Sequence, residues 1–126
     1  MADGSKPPHK KRVLVADDNE TYRGALLTVL EGIAAVEVVG QATRGDECLR
    51  LAATLAPDVV LLDVNMPSLN GLEVTRRLKS AQRPPLVVVL SLSDAGTSRA
   101  AALAAGADAY VEKAAALTEL LPLLAR

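Results

Sequence analysis

Residues 57–73 read PDVVLLDVNMPSLNGLE and contain the clearest structural pattern in the chain. Its apolar run Val59–Leu62 is too short for a helix and unbroken by polar residues, which is typical of a parallel strand buried on both faces. Asp63 ends the run. The residues after it that favour turns are Asn65, Pro67, Asn70 and Gly71. Because Val74 and Leu78 then follow at helical spacing, the stretch predicts a buried strand, a polar loop and a helix.

The same pattern repeats on both sides of this stretch. The other short apolar runs are Val13–Ala16, Val36–Val39, Leu86–Leu90 and Ala109–Val111. Five strands that alternate with helical segments predict right-handed crossovers and a parallel sheet covered by helices on both faces. We therefore predict a single doubly wound α/β domain, with its ligand site outside the carboxyl ends of the strands.

Between the runs, apolar residues recur at helical spacing. The first stripe comprises Tyr22, Leu26, Val29, Leu30 and Ile33, and the second Cys48, Leu51, Ala52 and Leu55. Cys48 is therefore interpreted as a core residue rather than a reactive thiol. The alanine-rich segment Thr97–Ala105 predicts a helix that stops at Gly106. Thr118 fits an N-cap of the last helix, but Pro122 would then occupy its fourth position, so we expect a short or irregularly started helix.

Length and composition limit the class of function. The 126 residues suit one domain, and a net charge of −1 gives no overall attraction to nucleic acid or acidic membranes. A core with two tyrosines and neither phenylalanine nor tryptophan does not predict a roomy organic-cofactor pocket. The single cysteine excludes an internal disulfide and fits a reducing compartment. No secretory signal and no apolar run of roughly 20 residues is present, which predicts a cytoplasmic protein without a membrane partner.

The N-terminal residues MADGSKPPHKKR are polar and contain two adjacent prolines. We predict a flexible basic tail over residues 1–11 and one domain over residues 12–126. The basic cluster of Lys6, Lys10, Lys11 and Arg12 could contact an acidic partner, but a solvated tail is the favoured interpretation of so short a run.

Chemically useful residues follow four of the five predicted strands. In strand order, the residues after each run are Asp17-Asp18, Gly40-Gln41, Asp63, Ser91 and, shortly after the fifth, Lys113. Each has an ordinary explanation when taken alone. Asp18 or Asn19 can cap a helix, and Asp63 can end a strand at a turn. Ser91 can bond to the backbone, and Lys113 can lie on the surface. Their occurrence together at one edge of the sheet favours a functional site.

Three carboxylates at one edge repel one another by roughly 4 kcal/mol per close pair at an effective dielectric of about 20. Such a cluster is tolerable if it binds a cation or if one of its members is protonated. Oxygen ligands suit Mg²⁺, and the presence of one histidine, His9, argues against zinc or copper. A carboxylate can also attack a phosphoryl donor and form an acyl phosphate. Lys113 would then clamp the phosphoryl oxygens, and Ser91 would donate a hydrogen bond to one of them.

Four segments carry a resemblance to a known family: ADDN at 16–19, PDVVLLDVNMPSLNGLE at 57–73, VVVLS at 87–91 and AGADAYVEK at 105–113. On these motifs the chain resembles the receiver domain of bacterial two-component response regulators. The resemblance extends from Arg12 to about Leu124. It implies a flavodoxin-like (βα)5 fold with a five-stranded parallel sheet of order 2-1-3-4-5, and a sensor histidine kinase as partner.

The resemblance also implies a role for each matched residue. Asp63 resembles the phosphoacceptor, which takes its phosphoryl group from a phosphohistidine, and Lys113 resembles the phosphate-contacting lysine. The implied Mg²⁺ ligands are Asp17, Asp18, Asp63 and the backbone carbonyl of Asn65. Ser91 and Tyr110 resemble the switch hydroxyl and switch aromatic, whose movement changes the surface of the fourth helix, fifth strand and fifth helix. Asn65 and Ser93 resemble residues that tune the lifetime of the phosphoryl group.

Ala114 follows Lys113 where many receivers have a proline. This departure is compatible with the NarL/LuxR-like branch, as are VVGQATRGDE and the pair Arg76-Arg77. Members of that branch usually carry a DNA-binding domain after the receiver, whereas this sequence ends at Arg126.

Two functions therefore stay open. One is a stand-alone receiver that controls an output protein or its own dimerisation. The other is the regulatory domain of a helix-turn-helix transcription factor, which would reach DNA only through a further domain. A third interpretation, a magnesium-dependent phosphatase, is disfavoured because Asn65 stands where those enzymes typically carry a second aspartate.

Overall fold

Five strands alternate with five helices in the computed structural model, which describes residues 10–92 and 96–124, without the side chains of residues 96–98. The strands are β1 (Lys11–Ala16), β2 (Val36–Ala42), β3 (Val59–Asp63), β4 (Leu86–Ser91) and β5 (Ala109–Glu112). The helices are α1 (Glu20–Glu31), α2 (Gly45–Leu55), α3 (Gly71–Lys79), α4 (Gly96–Ala104) and α5 (Lys113–Leu124). Residues 1–9 of the predicted tail and Ser93 lie outside the described residues.

The strands form one sheet of order β2-β1-β3-β4-β5, in which every neighbouring pair is parallel. Alternate residues of a strand point to opposite faces, so an unbroken apolar strand contributes to two cores. In β1, Val13 and Val15 pack in the core that α1 and α5 cover. Leu14 and Ala16 pack in the opposite core, which α2, α3 and α4 cover. The predicted doubly wound α/β domain and its 2-1-3-4-5 strand order are confirmed.

The first strand begins earlier than its apolar run. Lys11 and Arg12 pair with the start of β2, and the Arg12 guanidinium donates hydrogen bonds to the carbonyls of Leu55 and Ala56 at 2.6 and 2.9 Å. Lys11 therefore belongs to the sheet and not to the predicted tail, because backbone pairing outweighs the polarity of its side chain.

The second strand ends later than predicted. It continues to Ala42, so Gly40 and Gln41 lie within β2 and do not follow it. Polar residues are tolerated here because β2 is an edge strand and one side of it is open to solvent. A Cβ at Gly40 would lie 2.8 Å from Leu55 Cδ1, so the glycine permits α2 to pack closely on the strand.

Two asparagines start the helices that adjoin the carboxyl edge of the sheet. Asn19 caps α1 by accepting the backbone N–H of Tyr22 at 2.8 Å. Asn70 caps α3 by accepting two backbone N–H groups of its first turn, each at 3.0 Å. The next residue, Gly71, has no room for a side chain, since a Cβ would lie 2.6 Å from the carbonyl oxygen of Asp63. Glycine thus lets α3 start directly against the end of β3.

The structure agrees with the prediction for the end of the fourth helix but not with the prediction for the fifth. Gly106, with a φ of +107°, follows α4 as predicted. The expectation of a short or irregularly started last helix is wrong, because α5 has 12 residues and starts at Lys113, directly after β5. Thr118 is not its N-cap but donates its hydroxyl to the Ala115 carbonyl at 3.0 Å. Pro122 lies in the last turn, where it removes one hydrogen bond near the helix end. The buried residues that hold α5 against the sheet include Ala116, Leu120 and Leu124.

Candidate functional site

Three carboxylates meet at the carboxyl edge of the sheet, where β1 and β3 lie side by side. Asp17 and Asp18 directly follow β1, Asp63 ends β3, and the strand register sets Ala16 opposite Leu62. One carboxylate oxygen of each aspartate lies within 4.8 Å of those of the other two. Asp17 and Asp63 are buried whereas Asp18 is exposed, so the cluster is open to solvent on one side. The structure therefore brings together the acidic residues predicted from the sequence.

Lys113 brings a positive charge to this carboxylate cluster from the start of α5. Its Nζ lies 2.7 Å from Asp17 Oδ2 and 3.5 Å from Asp63 Oδ2, and its side chain is 6% exposed. A buried ammonium group needs such partners, because removing it from water is costly. One ammonium group faces three carboxylates, so an ionised cluster carries excess negative charge.

This environment raises the pKa of Asp63 to about 6, from an ordinary value of 3.8. Burial of the carboxyl group is the largest cause, and the charges of Asp17 and Asp18 raise the pKa further. Two contacts oppose them: Asn65 donates its backbone N–H to Asp63 Oδ1 at 3.1 Å, and Lys113 contributes positive charge. Asp63 is therefore largely ionised at neutral pH, in surroundings that a bound cation would make more favourable.

The oxygen donors of the cluster fit Mg²⁺. Asp17 Oδ1 accepts the backbone N–H of Asn19 at 2.8 Å, whereas the buried Oδ2 receives no well-directed hydrogen bond from the described residues. The contact of this Oδ2 with Lys113 is thus an ion pair without hydrogen-bond geometry. A few carboxylate oxygens with one solvent-facing side match a cation that keeps part of its water shell. Asn65 lies beside Asp63, and the role of its carbonyl as a metal ligand stays a prediction.

Ser91 and Tyr110, the residues predicted to act as a switch, occupy different parts of the structure. Ser91 is buried at the end of β4, one residue beyond Leu90, which pairs with Asp63. Tyr110 is buried in the core that α2, α3 and α4 cover. The guanidinium carbon of Arg99, from α4, lies 4.8 Å from the centre of the Tyr110 ring. Ser91 thus lies at the edge that holds Asp63, and Tyr110 connects β5 with α4.

Tyr22 makes contacts at the site that its sequence pattern does not predict. Its spacing predicts only a place in the apolar stripe of α1, yet its hydroxyl donates a hydrogen bond to the Lys113 carbonyl at 2.9 Å. The Lys113 ammonium lies 4.7 Å from the centre of the Tyr22 ring. Burial, followed by the charges of Asp17 and Asp63, raises the pKa of the phenol to about 12. The available signal was its position in the first turn of the helix that follows the acidic pair.

Comparison with known families identifies the domain. The family described as the response regulator receiver domain matches residues 13–125. The chain belongs to this family. Its receiver is 42% identical over 110 residues to the response regulator GacA of Pseudomonas aeruginosa, covering 87% of this chain and 51% of GacA. It is 35% identical over 109 residues to the response regulator UvrY of Escherichia coli, covering 86% of this chain and 50% of UvrY.

Solved structures agree with this assignment. The signal receiver domain of NarL from Mycobacterium tuberculosis superposes on the receiver with a TM-score of 0.87 at 34% identity, covering 92% of this chain and 94% of that one. The response regulator domain of Thermotoga maritima CheB gives a TM-score of 0.84 at 28% identity, covering 92% and 94% of the two chains. The predicted NarL/LuxR-like branch and the flavodoxin-like receiver fold are confirmed.

The receiver spans about half the length of the curated relatives GacA and UvrY. Within the described residues, no helix combines the length and the apolar character needed to cross a membrane.

Proposed function

We propose that this receiver accepts a phosphoryl group on Asp63 from the phosphohistidine of a sensor histidine kinase, in the cytoplasm and with Mg²⁺. The observation that carries this proposal is the position of the Lys113 ammonium, between the carboxylates of Asp17 and Asp63. A buried lysine beside an excess of carboxylates is suited to stabilise a transferred phosphoryl group, whose oxygens gain negative charge next to it.

Asp63 has the properties of the nucleophile. Its Oδ1 is oriented by the N–H of Asn65, and its Oδ2 lies toward Lys113. One carboxylate oxygen attacks phosphorus, the new O–P bond forms, and the P–N bond of the donor breaks with its electron pair on the imidazole. A pKa of about 6 keeps most Asp63 ionised at neutral pH, as this attack requires.

The other site residues would assist in defined ways. Mg²⁺ held by Asp17, Asp18, Asp63 and the Asn65 carbonyl would neutralise charge on the phosphoryl oxygens. Lys113 would clamp one of these oxygens, and the Ser91 hydroxyl would donate to another.

We further propose that phosphorylation changes the surface formed by α4, β5 and α5. Inward movement of Ser91 would free space for Tyr110, whose contact with Arg99 couples it to α4. This surface would then control an output protein or dimerisation of the receiver. A second candidate is the regulatory domain of a helix-turn-helix transcription factor, and the half-length match to GacA fits a receiver that forms one part of a longer protein.

The test is intact-mass analysis after incubation with acetyl phosphate and Mg²⁺. We expect one added phosphoryl group on the wild type, and none on Asp63→Asn or when Mg²⁺ is removed by chelation. Asp58→Asn is the matched control, since Asp58 is an exposed aspartate that immediately precedes the same strand. It should be modified like the wild type. No mass gain from acetyl phosphate or from a phosphorylated histidine kinase would refute the proposal.

A further inference from the structure

We propose that Tyr22 is a positioning residue that holds the Lys113 side chain at the carboxylate cluster during phosphoryl transfer. This inference rests on the proposed function of Asp63 and Lys113. Tyr22 does not touch the reacting atoms in this role but acts through Lys113.

Tyr22 contacts Lys113 at both ends of the lysine. The phenolic hydroxyl donates to the Lys113 carbonyl at 2.9 Å, and the aromatic ring lies 4.7 Å from Nζ. The hydrogen bond to the backbone holds the ring at the start of α5. The ring in turn restricts the positions that the Lys113 ammonium group can occupy. A lysine side chain has a flexible four-carbon stem, so its head group needs such restraints to stay in one place.

The Tyr22 ring offers the buried Lys113 ammonium a stabilising contact in addition to those of the carboxylates. The Lys113 side chain is 6% exposed, so little water is available to solvate its ammonium group. Asp17 Oδ2 lies at ion-pair distance without hydrogen-bond geometry, and Asp63 Oδ2 is more distant at 3.5 Å. The electron-rich face of a tyrosine stabilises a desolvated cation without competing for a proton or a metal ion.

Packing alone does not account for the tyrosine. A leucine or phenylalanine would serve as well in the apolar stripe of α1, because neither brings a hydroxyl group that needs a partner. Here that partner is the carbonyl of the lysine that extends into the cluster. The contact also joins α1 to the first residue of α5 beside the site.

The kinetic test uses two variants and one control. Tyr22→Leu removes the ring, and Tyr22→Phe keeps the ring but removes the hydroxyl. Leu27→Ala is the control, because Leu27 is a half-buried residue of the same helix and core. The observed quantities are the rate of phosphoryl gain from acetyl phosphate with saturating Mg²⁺, and the thermal stability of each protein.

From the strength of cation–π contacts, we expect Tyr22→Leu to slow phosphoryl gain by about 3- to 30-fold. Tyr22→Phe should recover most of this loss, and Leu27→Ala should lose stability while keeping the wild-type rate. Equal rates for Tyr22→Leu and the wild type would overturn the inference and leave Tyr22 as a packing residue. A wild type that gains no phosphoryl group would instead refute the proposed function, and the positioning role with it.

The second measurement does not depend on activity. Proton–carbon NMR of the lysine ε-methylene groups, assigned with Lys113→Arg, should show Lys113 shifted upfield by the ring current of Tyr22. The shift should persist in Tyr22→Phe and Leu27→Ala and disappear in Tyr22→Leu. An unshifted Lys113 signal in the wild type would overturn the inference whatever the kinetics show.

Discussion

Replacement of Asp63 by asparagine should stabilise the receiver when Mg²⁺ is absent. The substitution removes a buried negative charge from a cluster that already contains two carboxylates. An asparagine Oδ1 can still accept the N–H of Asn65, which Asp63 accepts at 3.1 Å. Lys113 keeps its ion pair with Asp17 at 2.7 Å. The variant thus removes repulsion and desolvation while the main local contacts remain.

The magnitude follows from the raised pKa. A shift of Asp63 from 3.8 to about 6 corresponds to at most about 3 kcal/mol, at 1.36 kcal/mol per pH unit. Solvent enters the cluster beside the exposed Asp18, so screening reduces this value. We expect a gain of about 1–2 kcal/mol in the free energy of unfolding near pH 7, or about 3–10 °C in Tm.

The sign of the pH dependence follows from proton binding. Between pH 3.8 and about 6 the folded protein holds a proton on Asp63 that the unfolded chain has lost. The wild type therefore loses stability relative to Asp63→Asn as the pH rises through this range. The difference in the free energy of unfolding between wild type and Asp63→Asn should be near zero below the pKa of Asp63 in the unfolded chain. It should be constant above the pKa of Asp63 in the folded protein.

Urea unfolding followed by far-UV circular dichroism in EDTA, from about pH 4 to pH 8, measures this difference. Saturating Mg²⁺ should reverse it, since a ligand at one hundred times its Kd adds about 2.7 kcal/mol to the protein that binds it. The control Asp58→Asn should stay within about 0.5 kcal/mol of the wild type, because an asparagine Oδ1 can still accept the Arg12 backbone N–H that Asp58 accepts at 2.8 Å. A variant less stable than the wild type in EDTA, or a difference independent of pH, would refute this account of the cluster.

The remaining predictions concern packing within the domain. Gly71→Ala should lower the free energy of unfolding by about 1–3 kcal/mol, because its Cβ would lie 2.6 Å from the Asp63 carbonyl oxygen. A Cβ at Gly24 would meet no atom within 4 Å, so Gly24→Ala should raise the free energy of unfolding by about 0.5–1 kcal/mol. Equal changes in stability for the two glycine variants would contradict the packing argument. Cys48 is buried and its pKa is raised to about 12, chiefly by desolvation, so the native protein should resist thiol reagents that label the unfolded chain. Rapid labelling of Cys48 in the native protein would contradict its burial. The free energy of unfolding should also fall above the ordinary thiol pKa of 9.0, since the Cys48 thiol then ionises only in the unfolded chain.

The sequence predicts the fold because its central strands are apolar without interruption. Side chains of β3 pack into both cores. Val59 and Leu61 lie in the core covered by α1 and α5, and Val60 and Leu62 lie in the opposite core. In a chain where such runs alternate with helical segments, they predict the strands of a parallel sheet that is buried on both faces. The edge of the sheet is harder to predict, because Gly40 follows the apolar run yet pairs with Leu14, beyond an irregularity in the register of β1 and β2.

Local signals failed in the last helix because tertiary packing outweighs them. Thr118 fits an N-cap, but a helix that started there would lose the packing of Ala116 at the start of the apolar face. Burial of Ala116, Leu120 and Leu124 favours a continuous helix from Lys113, and Pro122 is tolerated because it lies in the last turn. Propensity is a weak guide wherever a helix has a fully buried face.

The candidate site shows the same division between what spacing predicts and what geometry adds. The acidic residues and Lys113 could be predicted to converge, because each follows a strand of one parallel sheet. The position of Tyr22 in the first turn after the acidic pair places it near the site, but an apolar stripe does not predict a cation above its ring. Only the direct passage from β5 into α5 brings the Lys113 carbonyl within 2.9 Å of the Tyr22 hydroxyl.

That direct passage also gives the proposed phosphorylation of Asp63 a route to the rest of the domain. Lys113 is at once the counter-ion of the carboxylates and the first residue of α5, so no flexible loop separates the charge from the helix. Phosphorylation can shift a conformational equilibrium only through contacts that differ between two states. A phosphoryl group on Asp63 would draw the ammonium away from Asp17, and the backbone that carries it is tied to α1 through Tyr22. A change of charge at Asp63 would therefore act on α1 and α5 at once.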